Sequence, residues 1–276
     1  MIVSILVKSK LSGVIMSKEK VKEIEMYYEV TGEGESLLLI HGLGSSTRDW
    51  EFQVPVFSQK YQVITIDLRG HGKSDKPKGP YSMQMFAGDI AELLKKLGIK
   101  STHVLGISLG GGIAFQFALD YPNLVKSLMI VNAGIEIPMD SFKMKLEAFK
   151  RIFIVKLVGM KKMGKVLAPR LFIKPEQEDL REKLVERWAE NDKKAYLSAM
   201  RALIGWSVRD QINKIKCPTL VIGSDEDYAP SSVKEEYTAL LSNAKFIEIQ
   251  DARHAVPVEK PKEFNEIVMK FLLEQS

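Results

Sequence analysis

Residues 104–112 decide how the rest of this chain is interpreted, and their sequence is VLGISLGGG. An apolar run with strand character enters a Gly-x-Ser-x-Gly turn at 106–110, and an apolar helical segment from Ile113 to Leu119 follows. A serine on so sharp a turn is forced into an unfavourable backbone conformation, and glycines two residues to either side leave room for strand and helix to approach. The pattern therefore predicts that Ser108 presents its hydroxyl at the mouth of a pocket, as a candidate nucleophile.

Length and composition favour one catalytic unit, because a chain of 276 residues with 45% hydrophobic content can bury one α/β core plus an insertion. The net charge of +5 is modest, and no basic tract interleaved with aromatic residues indicates a nucleic-acid partner. The single cysteine, Cys217, precludes an internal disulfide and suits a reducing compartment. No stretch approaches the roughly 20 apolar residues that a membrane-spanning helix needs. We therefore expect a soluble, cytoplasmic protein.

The first sixteen residues do not resemble a secretory signal peptide. Their apolar run, Ile2 to Val7, is too short, and the basic residues follow it instead of preceding it. Met16 would itself make a plausible start. We interpret residues 1–16 as a disordered or mis-annotated extension, with a weak membrane-contacting segment as the alternative.

From residue 24 onward, strand and helix patterns alternate. Two strand-like segments, Ile24 to Val30 and Ser36 to Ile40, flank Gly32-Glu33-Gly34 and predict a hairpin that opens a sheet. The further predicted strands are Gln62 to Leu68, Thr102 to Ile107, Lys126 to Asn132, Pro218 to Gly223 and Lys245 to Gln250. The predicted helices are Thr47 to Phe57, Ser82 to Leu97, Ile113 to Leu119, Ser231 to Leu241 and Pro261 to Leu273. This alternation predicts an α/β fold with a mostly parallel sheet, helices on both faces, and ligands at the carboxyl ends of the strands.

One segment interrupts the alternation and predicts an inserted helical cap. Residues 135–213 carry no strand signal, so the α/β core is assigned to 17–134 and 214–276. Within the insertion, residues 135–174 hold ten basic residues against three acidic ones, a net charge of +7, with Met and Phe interleaved. We interpret this part as a packed cap with a solvated basic face. A lid that rests weakly on an anionic lipid surface is the alternative.

A serine nucleophile needs a base and an orienting carboxylate, which on this architecture follow it in the chain as acid and then histidine. Of the four histidines, only His254 lies beyond a suitable acidic loop. That loop follows the predicted strand at 218–223 and offers three carboxylates, Asp225, Glu226 and Asp227. Those that do not hold the histidine are expected to cap the helix that begins near Ser231 or to face water.

Two backbone amides are candidates for an oxyanion hole. The turn at 41–44, His-Gly-Leu-Gly, follows a predicted strand, so that the N–H of Leu43 can point at the same spot as the N–H of Leu109. His41 is then expected to hold the loop, with its side chain directed back into the scaffold.

The ordered set of motifs resembles the α/β-hydrolase superfamily, in particular serine esterase- and lipase-like members with a small helical cap. The set comprises His-Gly-x-Gly at 41–44, Asp-x-Arg-Gly-His-Gly-x-Ser at 67–74, Gly-x-Ser-x-Gly at 106–110, the acidic loop at 225–230 and His254. The resemblance covers about residues 22–274. It implies Ser108 as nucleophile, His254 as base, and Leu43 and Leu109 as oxyanion donors. Asp227 is favoured as the acid, because Asp-Tyr-x-Pro is a common form of this loop in the family, with Asp225 and then Glu226 as alternatives.

The resemblance implies a hydrolase of carboxylic esters that works through an acyl-enzyme, without a cofactor or metal. Ser108 argues against dehalogenases and epoxide hydrolases, which carry aspartate at the nucleophile position. The apolar cap favours small or medium acyl esters, including monoacylglycerols, as small-molecule substrates. A lactonase, a thioesterase or a hydrolase of carbon–carbon bonds would use the same triad, and a small-molecule receptor on this fold is the non-enzymatic alternative.

Overall fold

The computed structural model describes residues 13–137 and 142–275, with the backbone alone for residues 142–145. Its centre is an eight-stranded sheet. The strands are β1 (Val14–Val21), β2 (Ile24–Thr31), β3 (Glu35–Ile40), β4 (Tyr61–Ile66), β5 (Thr102–Ile107), β6 (Val125–Val131), β7 (Thr219–Ser224) and β8 (Ala244–Ile249). Their spatial order is β1-β2-β4-β3-β5-β6-β7-β8, and β3 to β8 run parallel.

Helices cover both faces of this sheet, which confirms the predicted fold class. They are α1 (Val54–Phe57), α2 (Met83–Lys96), α3 (Leu109–Asp120), α4 (Phe142–Leu157), α5 (Met160–Leu171), α6 (Glu178–Ala189), α7 (Lys193–Leu203), α8 (Ser231–Thr238), α9 (Val256–Glu259) and α10 (Pro261–Leu273). Side chains of a strand alternate between the faces: Leu38 and Ile40 of β3 join the core under α2 and α3, while Leu37 and Leu39 join the core under α10. A strand buried on both sides therefore has an unbroken apolar sequence.

The predicted hairpin between the second and third strands is wrong. β2 pairs antiparallel with β4, and β3 pairs parallel with β4, so β4 lies between them. The loop at 32–34 instead passes close to the chain that enters β4, where a Cβ at Gly32 would lie 2.4 Å from the carbonyl oxygen of Ser58. Glycine is needed there for two reasons: Gly32 has a φ of 80°, and two backbone segments approach each other closely.

The predicted amino-terminal extension also needs correction. Residues 14–16 belong to β1, which pairs antiparallel with β2 from Val14 opposite Thr31 to Val21 opposite Ile24. Exposed and half-buried side chains dominate this edge strand, so its sequence lacks the apolar run that predicted the other strands. The rest of the predicted extension, residues 1–12, lies outside the described residues.

Between β6 and β7 the described part of the insertion consists of α4 to α7 and short 3₁₀ turns. Its two ends meet in a single antiparallel bridge between Glu136 and Ser207. Its apolar core includes Met163 and Trp188, and it packs against Leu43 and Ala255 of the core loops. The insertion therefore sits over the carboxyl edge of the sheet, where the candidate residues of the site lie.

Within the described ranges, no helix is long and apolar enough to cross a membrane.

Candidate active site

Ser108 occupies the turn between β5 and α3 in a left-handed conformation, with φ 57° and ψ −119°. A Cβ at Gly106 would lie 2.2 Å from the carbonyl oxygen of Gly110, and a Cβ at Gly110 would lie 2.2 Å from that of Ile40. Any side chain at either position would collide with backbone, so both glycines are required for strand and helix to meet. The strained turn predicted from the motif is thus present.

The turn after β3 lies directly against Ser108, since a Cβ at Gly42 would be 3.5 Å from the Cβ of Ser108. Leu43 follows in this turn. Leu109 begins α3, and the amides of a first helical turn have no partner within the helix. Both predicted oxyanion donors therefore belong to backbone segments that adjoin Ser108.

His41 holds this turn in place. Its ring is fully buried, and its Nε2 accepts a hydrogen bond from the N–H of Leu68 at 3.1 Å, so its Nδ1 carries the proton and donates to the carbonyl of Gly42 at 2.7 Å. Burial lowers the pKa of His41 to about 4, which keeps the ring neutral. His41 thus fixes the turn from within the scaffold.

The structure brings Asp227 to His254, with Asp227 Oδ1 lying 2.6 Å from His254 Nδ1. Asp227 is buried and the imidazole is 18% exposed. The ring of Tyr228 stacks against the imidazole with their centroids 4.5 Å apart. The contact between Nδ1 and the carboxylate leaves Nε2 as the ring nitrogen directed elsewhere.

A buried lysine holds the other oxygen of the same carboxylate. Lys234 of α8 places its Nζ 2.7 Å from Asp227 Oδ2 and 2.9 Å from the carbonyl of Ala229, and its side chain is 2% exposed. Burial acts to raise the pKa of Asp227, but the imidazole and the ammonium together outweigh it and the pKa lies below its usual value. Asp227 is therefore an ionised carboxylate between two nitrogen donors.

The other two carboxylates of the loop have separate contacts, and neither caps α8. Asp225 accepts hydrogen bonds from the backbone N–H groups of Asp251 and Ala252, both at 3.0 Å. Glu226 lies 2.7 Å from the guanidinium of Arg253. The expectation that they would cap a helix is wrong, whereas both residues are exposed, as its alternative expected. Both also bind the loop that carries His254.

Asn132 is a residue that the sequence analysis missed. Its side-chain nitrogen lies 2.7 Å from Ser224 Oγ and 3.1 Å from the carbonyl oxygen of His254. The preceding residue, Val131, accepts a hydrogen bond from the N–H of Ser108 at 2.9 Å. Consecutive residues at the end of β6 therefore anchor both the serine turn and the histidine loop. A polar residue at the carboxyl end of a buried strand was the available signal.

A cavity of about 150 Å³ lies between the insertion and the core loops. The cavity is lined by Gly44 of the 41–44 turn and by Ala255, the residue after His254. Trp188 and Phe172 of the insertion also line it. Ser108 and His254 are not among its lining residues, so this cavity adjoins the candidate site without containing it.

Known proteins resemble this chain in sequence. A family model described as the alpha/beta hydrolase fold matches residues 35–155. The putative carbamate hydrolase RutD of Stutzerimonas stutzeri is 30% identical over 269 residues, 91% of this chain and 97% of that protein. The 3-oxoadipate enol-lactonase 2 of Acinetobacter baylyi is 29% identical over 258 residues, 90% of this chain and 94% of that protein. An uncharacterized Mycobacterium tuberculosis protein, Rv2715, is 42% identical over 107 residues, but the match spans only 31% of its length.

Solved structures resemble this chain in fold. An enol-lactonase from Burkholderia xenovorans LB400 superposes with a TM-score of 0.86 at 25% identity, covering 93% of this chain and 99% of that one. A thermophilic esterase from Thermogutta terrifontis gives a TM-score of 0.85 at 25% identity, covering 94% and 98%. The chain belongs to the α/β-hydrolase superfamily.

Proposed function

We propose that the protein is a serine hydrolase that cleaves carboxylic esters of small or medium acyl chains through an acyl-enzyme intermediate. The observation that carries the proposal is the pairing of His254 with Asp227 on a loop that Asn132 ties to the same strand end as the Ser108 turn. The proposal rests on that site, because the fold alone hosts many activities.

In the proposed reaction, Nε2 of His254 takes the proton of Ser108 as the serine oxygen attacks the ester carbonyl. The negative oxygen of the tetrahedral intermediate is stabilised by the N–H groups of Leu43 and Leu109, each such donor contributing about 3 kcal/mol in the transition state. The imidazolium then protonates the leaving alcohol, and the acyl group stays on Ser108. Water attacks the acyl-enzyme with His254 again as base, which releases the acid and restores the serine.

Asp227 is proposed as the triad acid. Its carboxylate would fix the imidazole tautomer with the proton on Nδ1, leaving Nε2 free to act as the base. The lowered pKa of Asp227 supports this role, because the carboxylate stays ionised throughout the pH range in which a histidine base works.

Lactones are the second candidate substrates. They are cyclic esters that the same steps would open, and a relative similar over 90% of this chain is named an enol-lactonase. Thioesters and carbon–carbon bonds that the same triad can cleave are further alternatives, distinguished by the pocket and not by the reacting groups.

The test is a panel of p-nitrophenyl esters of increasing chain length, run beside lactones and thioesters, on the wild type and on Ser108→Ala. We expect a burst of p-nitrophenol, the highest kcat/KM on short to medium acyl chains, and no turnover by the variant. Higher kcat/KM on lactones would replace the ester proposal by the second candidate. A folded wild type that shows no burst and no turnover of any class would support a binding protein instead.

A further inference from the structure

An apolar stripe runs along the outer face of α4. Leu146, Phe149, Phe153 and Leu157 are 37%, 63%, 50% and 69% exposed. At about 100° per residue these four positions fall within an arc of roughly 80°, on the side opposite the fully buried Val155. Four large apolar side chains on one exposed helix face exceed the scattered exposure that is normal for a soluble surface.

The stripe lies in the most basic part of the chain. Residues 142–173 contain nine basic residues and one acidic residue, a net charge of +8, whereas the whole chain carries +5, so the remainder is net −3. By helical spacing, Lys150 and Lys156 flank the two sides of the stripe. An apolar face bordered by lysines is the arrangement of helices that lie in the plane of a membrane interface.

A basic groove continues from the end of the stripe. It has a volume of about 890 Å³ and is formed by α7, the 76–80 segment and α4. Its cationic lining residues are Lys76, Lys78, Lys156, Lys193, Lys194 and Arg201. The acidic residue in its lining, Asp192, accepts hydrogen bonds from the amides of Lys194 and Ala195 at the start of α7. Lys156 belongs to both features, so apolar stripe and cationic groove form one continuous surface.

We infer that this surface, the α4 stripe with the adjoining groove, binds an anionic lipid bilayer. The stripe matches the acyl region just below the headgroups, and the groove matches their negative phosphates. A nucleic acid would satisfy the cations but would leave the phenylalanines in water, and the apolar stripe therefore favours lipid. The inference does not depend on the proposed hydrolysis, because binding requires no catalytic residue.

The stripe on α4 is connected to the candidate active site through α5. Arg253, next to His254, lies within hydrogen-bond distance of the carbonyl of Arg170 at the end of α5, and α5 packs against α4. Helix α5 therefore contacts both the helix that carries the stripe and the loop that carries His254.

The experiment is co-sedimentation of the full chain with phosphatidylglycerol–phosphatidylcholine vesicles and with pure phosphatidylcholine vesicles. We expect binding to the anionic vesicles only, weakened by added salt because charge attraction is screened over about 8–10 Å at moderate ionic strength. The triple variant K156Q/K193Q/K194Q should bind at least about tenfold more weakly. Its matched control, K60Q/K100Q/K262Q, removes three exposed lysines elsewhere and should bind as the wild type does.

The apolar contribution is tested with F149S/F153S against the control L240S/L273S, which removes exposed leucines elsewhere. Only the first should reduce vesicle binding, with circular dichroism verifying that all variants fold. No sedimentation with anionic vesicles at low salt would overturn the inference, as would equal losses in variants and controls. Tighter binding to duplex DNA than to vesicles, or a dimer that F149S/F153S dissociates in the absence of vesicle binding, would also overturn it.

Discussion

Each end of the central sheet carries a serine, a histidine and a carboxylate. At the amino ends of β3, β5 and β6, the ring of His103 lies 2.8 Å from Ser127 Oγ and 3.1 Å from Glu35 Oε2. At the carboxyl ends, Ser108 follows β5 and His254 lies 2.6 Å from its carboxylate. The residue types are the same at both ends, so what differs is how the fold surrounds them.

At the amino end of the sheet, the serine and the histidine are built into the core, whereas the carboxylate of Glu35 is 47% exposed. Ser127 lies within β6, directly opposite His103 in β5, and both are fully buried. Burial lowers the pKa of His103 despite the hydrogen bond to Glu35, which keeps the ring neutral. Ser108, by contrast, lies beyond the end of β5 on a strained turn, next to the backbone amides of the 41–44 turn and of α3. A strained turn and neighbouring backbone amides therefore distinguish the candidate site from a structural hydrogen-bond chain.

The largest expected effect separates the two serines. Ser108→Ala should lower kcat by about 10⁶-fold, the scale found when the nucleophile of a triad is removed. Ser127→Ala should leave kcat essentially unchanged and lower the free energy of unfolding by about 1–3 kcal/mol, because a buried imidazole loses its partner. Ester hydrolysis and denaturant unfolding measure both. Comparable losses of kcat in two folded variants would show that the two serines do not differ in function.

The carboxylates should differ by nearly as much. Asp227→Asn should reduce kcat by about 10⁴-fold, since an amide in place of the triad carboxylate stabilises the wrong imidazole tautomer. Glu35→Gln, at the opposite end, should leave kcat unchanged, and Asp225→Asn should have a mild effect through the histidine loop. If Asp225→Asn proves the severe variant, the acid has been misassigned by two residues.

Lys234→Met tests whether the buried ammonium stabilises the ionised carboxylate of Asp227. Removing one partner of a buried ion pair should lower the free energy of unfolding by about 3 kcal/mol. Because the pKa of Asp227 is lowered in the folded state, its ionisation stabilises the fold above about pH 4, and this stabilisation is lost as the pH falls. Without Lys234 the pKa of Asp227 is lowered less, and acid unfolding followed by circular dichroism should begin at higher pH.

The matched control is Lys245→Met, which removes an exposed ion pair with Glu274. Its effect on the unfolding free energy should stay below about 0.5 kcal/mol. Similar acid midpoints for Lys234→Met and the wild type would show that Lys234 contributes nothing to the ionisation of Asp227.

The smallest effect concerns His103. Its pKa is lowered in the folded state, so below about pH 6.5 the unfolded chain binds a proton that the folded chain does not, and stability falls with falling pH. His41 and His71, with pKa values of about 4 and about 3, act in the same direction. His103→Asn should therefore reduce the slope of unfolding free energy against pH, between pH 6.5 and 5, by at most about 1.4 kcal/mol per pH unit. An unchanged slope would mean that His103 is protonated in the fold.

Much of the fold was predictable because parallel strands buried on both faces have continuous apolar sequences. The predicted strand Thr102 to Ile107 has the observed bounds, and the helix Pro261 to Leu273 does too. Which strands pair is a different question, since it depends on contacts far apart in the chain. The pairing of β2 with β4 in place of β3, and the edge strand β1, were therefore not predicted.

In the candidate site, too, local features could be predicted from the sequence, and contacts between distant residues could not. The glycines that the strained turn requires are part of the Gly-x-Ser-x-Gly motif itself. The conformation of Ser108 could therefore be predicted from neighbouring residues alone. Lys234 lies in the helical segment Val233-Lys234-Glu235-Glu236, which resembles a solvated face, and only the folded loop shows that its ammonium reaches Asp227. The position of Asn132 beneath His254 likewise depends on the neighbouring strand β7.

The role of Ser108 as nucleophile is tested most directly by labelling with a serine-directed fluorophosphonate, followed by mass spectrometry of the digested protein. We expect one adduct per chain, on Ser108, formed equally in Ser127→Ala and absent from Ser108→Ala. An adduct on Ser127 or another serine, or ester hydrolysis that persists with Ser108 unlabelled, would contradict it.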